Sequence, residues 1–147
     1  RLTTVHAAGG ASMLEPLGAL ERDDFKFLAV TVLTSMSEGD MAKLGVEDSS
    51  PAQRVDRLFN LAKSSGVSGF VCSPLEVQAL HRQMPMGTFV TPGVRPAGSA
   101  SDDQTRIATP SDAMASGATS LVIGRPISKA PDPRAAAEAI LAELADG

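Results

Sequence analysis

One cysteine, two histidines and no run of basic residues leave this 147-residue chain without several kinds of chemistry. The lone Cys72 can close no internal disulfide, so a disulfide-framed scaffold is excluded and a reducing compartment, by default the cytoplasm, is expected. His6 and His81 are far apart in sequence and offer no metal-ligand spacing with one cysteine, so no metal site is expected. A formal charge of −4 argues against a nucleic-acid surface, which needs clustered Lys and Arg. No stretch approaches the roughly 20 apolar residues that span a bilayer, and the first residues lack the basic-then-apolar layout of a signal peptide. A soluble chain with no nucleic-acid or membrane partner is the expectation. The glycine patterns G-x-G-x-x-G, G-x-x-x-x-G-K-[ST] and G-x-S-x-G are all missing, which removes dinucleotide, Walker-type and nucleophile-elbow sites. No lysine lies close to carboxylates at an expected strand end, so acid–base machinery is hard to find.

What is present is a rhythm. Apolar, β-branched runs at 2–7, 25–33, 68–73, 88–93 and 119–125 are each followed by a polar turn and a helical pattern. That alternation predicts βα units on a parallel sheet. The runs are nearly continuous in apolar residues, as expected for strands covered on both faces. Helix starts are marked by a hydroxyl followed by proline at Ser50-Pro51, Ser73-Pro74 and Thr109-Pro110. Gln53, Glu76 and the shorter Asp112 stand three residues past each cap, and Asp132-Pro133 repeats the device before a last helix. Val55, Leu58, Phe59 and Ala62 form one apolar stripe, and Ala136, Ile140 and Leu144 another. Five such units suit either an open doubly wound sheet or part of an eight-fold βα barrel, which normally takes about 250 residues. The chain opens inside a strand without an initiator Met, as the tail of something longer would.

In both architectures ligands bind beyond the carboxyl ends of the strands. The last run ends Gly124-Arg125, where a glycine admits a ligand to the backbone and a guanidinium offers two parallel donors to a phosphate. An arginine paired to a neighbouring carboxylate is the plainer alternative. The preceding run ends in "TPGVRP" and feeds a segment of about fifteen residues with almost nothing to bury, a length that is usually functional or disordered. Arg95 and Arg125 then stand at neighbouring strand ends, with Gln104 on the long segment able to close over an anion or to remain a solvated side chain. Thr34 and Ser35 could hydrogen-bond a polar ring or cap the helix that follows. A strand-end His6 could be catalytic or simply structural, and His81 is expected on an exposed helix face. Met84-Pro85-Met86 reads as a linker with apolar packing, and Cys72 as a buried, inert thiol.

The segments "TVHAAGG", "AVTVLTSM", "GFVCSP", "FVTPGVRP", "DDQTRIATP" and "VIGRPI", in this order, resemble the carboxyl-terminal part of bacterial orotidine 5'-phosphate decarboxylases over essentially the whole chain. The resemblance implies an α/β fold, a (β/α)8 TIM barrel of which residues 1–147 supply about the last five βα units. It implies a homodimer that converts orotidine monophosphate to uridine monophosphate and carbon dioxide in pyrimidine synthesis, with no metal or organic cofactor. By position, Arg95, Gln104 and Arg125 would hold the substrate phosphate with a backbone contact at Gly124; Thr34 would contact the nucleotide and Pro92 would line the pyrimidine pocket. The family's catalytic Lys and Asp cluster, of the form D-x-K-x-x-D, has no counterpart here, so no catalytic residue is expected in this chain and an amino-terminal part of the domain is expected outside it. Two other readings stand beside this one: a related sugar-phosphate decarboxylase barrel, and a non-catalytic half barrel that binds phosphate ligands.

Overall fold

The computed structural model describes residues 1–46, 50–96 and 108–145. Its centre is a five-stranded sheet, all parallel, formed by β1 (Leu2–His6), β2 (Lys26–Val30), β3 (Gly69–Val71), β4 (Thr88–Pro92) and β5 (Ser120–Val122) in the order of the sequence. The two architectures left open by the sequence differ here. A doubly wound sheet reverses its strand order at a switch point, whereas an unbroken 1-2-3-4-5 order with right-handed crossovers stacks every helix on one face, which is the arc of a barrel.

The helices are α1 (Ala11–Gly18), α2 (Glu38–Lys43), α3 (Pro51–Ser64), α4 (Val77–Gln83), α5 (Pro110–Ala115), α6 (Arg125–Ser128) and α7 (Pro133–Ala145). Their starts follow the expected caps closely. Ser50 accepts from the Gln53 amide with Pro51 in the first turn, Thr109 accepts from the Asp112 amide at 3.1 Å, and Asp132 accepts from the Ala135 amide at 3.0 Å. The Ser73 motif is the exception. Residues 74–76 form a turn, α4 begins at Val77, and only half of the capping box exists: the Glu76 carboxylate accepts the Ser73 amide at 3.0 Å while the Ser73 hydroxyl caps nothing.

Alternation along each strand sorts side chains onto two faces. Phe27, Ala29, Phe70, Cys72 and Phe89 face the helices and join Val55, Leu58, Phe59 and Ala62 of α3 in one core. Three phenylalanines anchor it, with ring centroids 4.6 Å apart for Phe59–Phe70 and 5.6 Å for Phe70–Phe89. His81 was expected to be exposed; it is half-buried instead, with its ring edge-on to Phe89 at 5.9 Å. Met84 packs on the core and Met86 points to solvent. Of the last stripe, Ile140 is buried while Ala136 and Leu144 are half-buried. Because Phe70 is fully enclosed and touches two other rings, Phe70→Ala is expected to cost about 3–5 kcal/mol of stability, measured as the shift in a urea midpoint.

The expectation that all strands are covered on both faces fails at the edges. Among the described residues β1 and β5 each have a ladder neighbour on one side only, and Leu2 and Val122 are about half exposed. At the amino ends of the strands one contact escaped the sequence reading. The Glu21 carboxylate accepts the amides of Phe27 and Ser68, takes the Ser68 hydroxyl and lies 3.6 Å from Lys26 Nζ, tying the starts of β2 and β3 together. Gly69 sits beside it for a steric reason: a Cβ there would collide with the carbonyl oxygen of Phe27 and with Leu28, its partner across the ladder.

Candidate functional site

A parallel sheet with helices on one face delivers every strand's carboxyl end to the same rim. At that rim lies a cavity of about 210 Å³ whose floor is Val30 and Val71 and whose mouth is Thr34, Ser35 and Pro92, with Cys72 also bordering it. Val30 and Val71 are ladder partners, so the floor is one row of the face opposite the helices. Two of the six candidate residues, Thr34 and Pro92, therefore meet in one place. Capping of α2 falls instead to Ser37, whose hydroxyl accepts the Asp40 amide at 3.2 Å while the Asp40 carboxylate accepts the Ser37 amide at 3.1 Å. The Ser37 hydroxyl, donating to the Asp40 carboxylate at 2.6 Å, and then the Ser37 amide hold the Asp40 carboxyl below its ordinary range. The Thr34 and Ser35 hydroxyls thus stand at the cavity mouth and not at a helix cap.

Past Pro92 the chain turns sharply, at Gly93, whose φ of 83° is one that only glycine adopts without strain. The turn carries Arg95 into the interior, where 7% of it remains exposed. One Nη1 donates to the Val94 carbonyl at 2.8 Å, and Nε finds no partner among the described residues. A buried charge with an unused donor is costly, and a ligand anion is what such a donor would offset.

The register places the two arginines alike. Pro92 of β4 is opposite Val122 of β5, and Arg95 and Arg125 each follow their member of that pair by three residues. The strand β5 ends at Val122, earlier than the sequence run suggested, so Arg125 is the first residue of α6 and not a strand end; it is half-buried. Gly124, which caps α6, is exposed, and a Cβ on it would meet no protein atom within 4 Å. The long segment leaves at Pro96 and returns at Ala108, where Val94 and Ala108 form a parallel bridge and the Arg95 amide donates to the Ala108 carbonyl at 2.9 Å. Both of its roots are thereby fastened beside Arg95. Gln104, on residues 97–107, lies outside the described residues.

Two other candidates resolve into lesser roles. Cys72 is 1% exposed, and burial, reinforced by the neighbouring Glu76 carboxylate, pushes its thiol up to about 12, so it stays protonated and unreactive. His6 ends β1 in register with Val30, is exposed, and borders a second cavity of about 190 Å³ that Met41, Val46 and Leu58 line and that the sequence reading missed. Among the described residues no cluster of three His, Cys, Asp or Glu could hold a metal, and no helix is long and apolar enough to cross a membrane.

Comparison with known proteins bears on this geometry. The profile of the orotidine 5'-phosphate decarboxylase / HUMPS family matches residues 1–140. The chain is 52% identical over 143 residues to an orotidine 5'-phosphate decarboxylase of Erythrobacter litoralis, covering 97% of this chain and 63% of that protein. It is 49% identical over 148 residues to one of Opitutus terrae, covering 98% and 64%. Among solved structures, orotidine 5'-phosphate decarboxylase from Lactobacillus acidophilus superposes with a TM-score of 0.73 at 40% identity, over 97% of this chain and 62% of that one. The enzyme from Pyrococcus horikoshii shares the fold with a TM-score of 0.69 at 21% identity, over 97% and 60%. The chain thus spans somewhat less than two thirds of the length of these relatives.

Proposed function

Because the chain belongs to the orotidine 5'-phosphate decarboxylase / HUMPS family, we propose that it is the carboxyl-terminal part of a single (β/α)8 domain that decarboxylates orotidine 5'-monophosphate to uridine 5'-monophosphate. Its share of the work is to bind the nucleotide. Arg95, Arg125 and Gln104 take the phosphate with the Gly124 amide, Thr34 contacts the nucleotide, and Pro92 walls the pyrimidine. The observation that carries this reading is Arg95: a guanidinium nearly sealed from water, with Nε unpaired among the described residues, past the end of the strand that neighbours the one leading to Arg125.

Losing carbon dioxide breaks a carbon–carbon bond and leaves its electron pair on the ring. A lysine supplied from outside this chain stabilises that carbanion and protonates it, so no catalytic residue is assigned here. The phosphate takes no part in bond breaking. Its binding lowers the barrier by holding the ring against the charged cluster. The protein works in the cytoplasm as a homodimer, with no nucleic acid or membrane as partner and no cofactor.

Titration calorimetry of the chain with uridine monophosphate tests the binding role. Saturable binding that weakens by about tenfold to a hundredfold in Arg125→Ala, the equivalent of one charge-assisted hydrogen bond, is expected. Tight binding of a sugar phosphate with none of uridine monophosphate would favour a sugar-phosphate decarboxylase, and retention of full affinity by Arg125→Ala would discard that residue's role.

A further inference from the structure

The last helix is held from one side only. α7 packs on α5 and α6, and the Ser111 hydroxyl of α5 donates to the Glu143 carbonyl at 3.0 Å. In a parallel sheet a crossover helix lies over the two strands it joins, so its apolar stripe has strand beneath it on both sides. α7 follows β5, and no strand follows α7 among the described residues. The consequence is a groove of about 440 Å³ beside β5, walled by Leu121 of that strand and the adjoining Ile123, by Met114 of α5, and by Ile140, Leu141 and Leu144 of α7. Leu141 is 65% exposed, Met114 41%, and Val122 on the strand edge itself 50%. A ladder edge beside exposed aliphatic side chains is a surface that a further strand and helix would cover.

What covers it has a size. The Erythrobacter litoralis enzyme matches this chain over 143 residues that make up 63% of it, which leaves about 80 residues unmatched. Here five strands, each with a helix after it, take 147 residues, so that length holds about three more units and brings the total to the eight of a closed ring. A second copy of this chain would bring five units where three are wanted. The core behind the groove closes without help, since Phe59, Phe70 and Phe89 are 0% exposed, so the surface exists before any partner arrives. We propose that the β5 edge and its groove are a docking surface for a polypeptide of three βα units, the amino-terminal part of the same domain, and that the two parts hold together without a covalent link. The partner's first strand continues the parallel ladder beyond β5 with its outward apolar side chains under α7, and its last strand takes the edge of β1. The identity of the partner rests on the reading of this chain as the carboxyl-terminal part of a (β/α)8 domain, whereas the hold rests on the groove.

Co-expression tests the hold. This chain, carrying an affinity tag, and the separately encoded amino-terminal part of the Erythrobacter litoralis enzyme are expected to co-purify as a one-to-one complex. Leu141→Glu puts a charge into the groove at an exposed position, where the chain's own fold loses little; it is expected to weaken the association by about tenfold or more, read from dissociation on dilution, with the melting temperature of the chain unchanged. Met86→Glu, on a side chain that is still more exposed and does not line the groove, should leave the complex intact. Failure to co-purify overturns the proposal, as does a complex that Leu141→Glu leaves at full strength. A chain that by itself forms a dimer, dissolved by Leu141→Glu, would give the groove to a second copy and overturn it too. Uridine monophosphate keeps the two readings apart. A complex that forms but neither binds the nucleotide nor decarboxylates orotidine monophosphate removes the function and leaves the docking surface standing, while nucleotide binding by a chain that takes up no partner removes the docking surface alone.

Discussion

Replacing Arg95 by alanine is expected to weaken nucleotide binding by about 100-fold to 10,000-fold, the largest effect of any single substitution at the rim. The figure follows from two charge-assisted hydrogen bonds at about 1.5–3 kcal/mol each, with 1.4 kcal/mol per factor of ten. Burial sets Arg95 apart from an ordinary surface arginine. At 7% exposure its charge is poorly screened by water, and one of its donors is already spent on the Val94 carbonyl, so the group is preorganised and loses little freedom when an anion arrives. Uridine monophosphate affinity and, in a full-length enzyme carrying this chain, kcat/KM are the quantities to measure. Uridine, which lacks the phosphate, is the control: the substitution should leave its weak binding untouched. Arg95→Met preserves the stem that packs in the interior while removing the charge, and should lose affinity to the same degree as alanine with a smaller loss of stability. Full affinity in Arg95→Met would remove the phosphate role.

The sequence was most readable where the physics is local. Hydroxyl-proline caps at Ser50 and Thr109 depend on three or four consecutive residues, and both formed as expected. The same signal misled at Ser73, because Glu76 and the buried row beside Thr91 drew that segment into a turn, a tertiary demand that no window of sequence displays. The Glu21 clamp was invisible for the same reason, joining partners 47 residues apart. Strand order was open until the sheet was seen, since βα alternation is common to both architectures. The adjacency of β4 and β5 was legible because consecutive βα units lie side by side in chain order, whereas the early end of β5, which leaves Arg125 on α6, was not. Thr34 was ambiguous in sequence between ring contact and helix cap; Ser37 took the cap with Asp40 reciprocating, although Ser35 stands three residues before Glu38 and offered a similar pattern.

Incubated with orotidine monophosphate, the 147-residue chain is expected to release no carbon dioxide above the uncatalysed background. The ring anion left by decarboxylation needs a cation beside it and a proton donor within hydrogen-bond reach. None of the groups lining the cavity can be either. Thr34 and Ser35 are neutral hydroxyls, Cys72 is buried with its thiol at about 12, and the remaining lining is aliphatic or proline. Lys26, though on β2, begins that strand, so it stands at the opposite end of the sheet from the cavity and pairs with Glu21. Binding without turnover is the result that fits: calorimetric heat with uridine monophosphate and no decarboxylation by a carbon dioxide assay. Measurable turnover by this chain alone would mean that a residue within it supplies the charge, and would overturn the assignment of the chemistry to a lysine outside it. Fusing the chain behind the amino-terminal part of a relative such as the Erythrobacter litoralis enzyme should restore turnover, since β1 offers an edge with no ladder partner among the described residues and the rim carries the proposed nucleotide-binding residues.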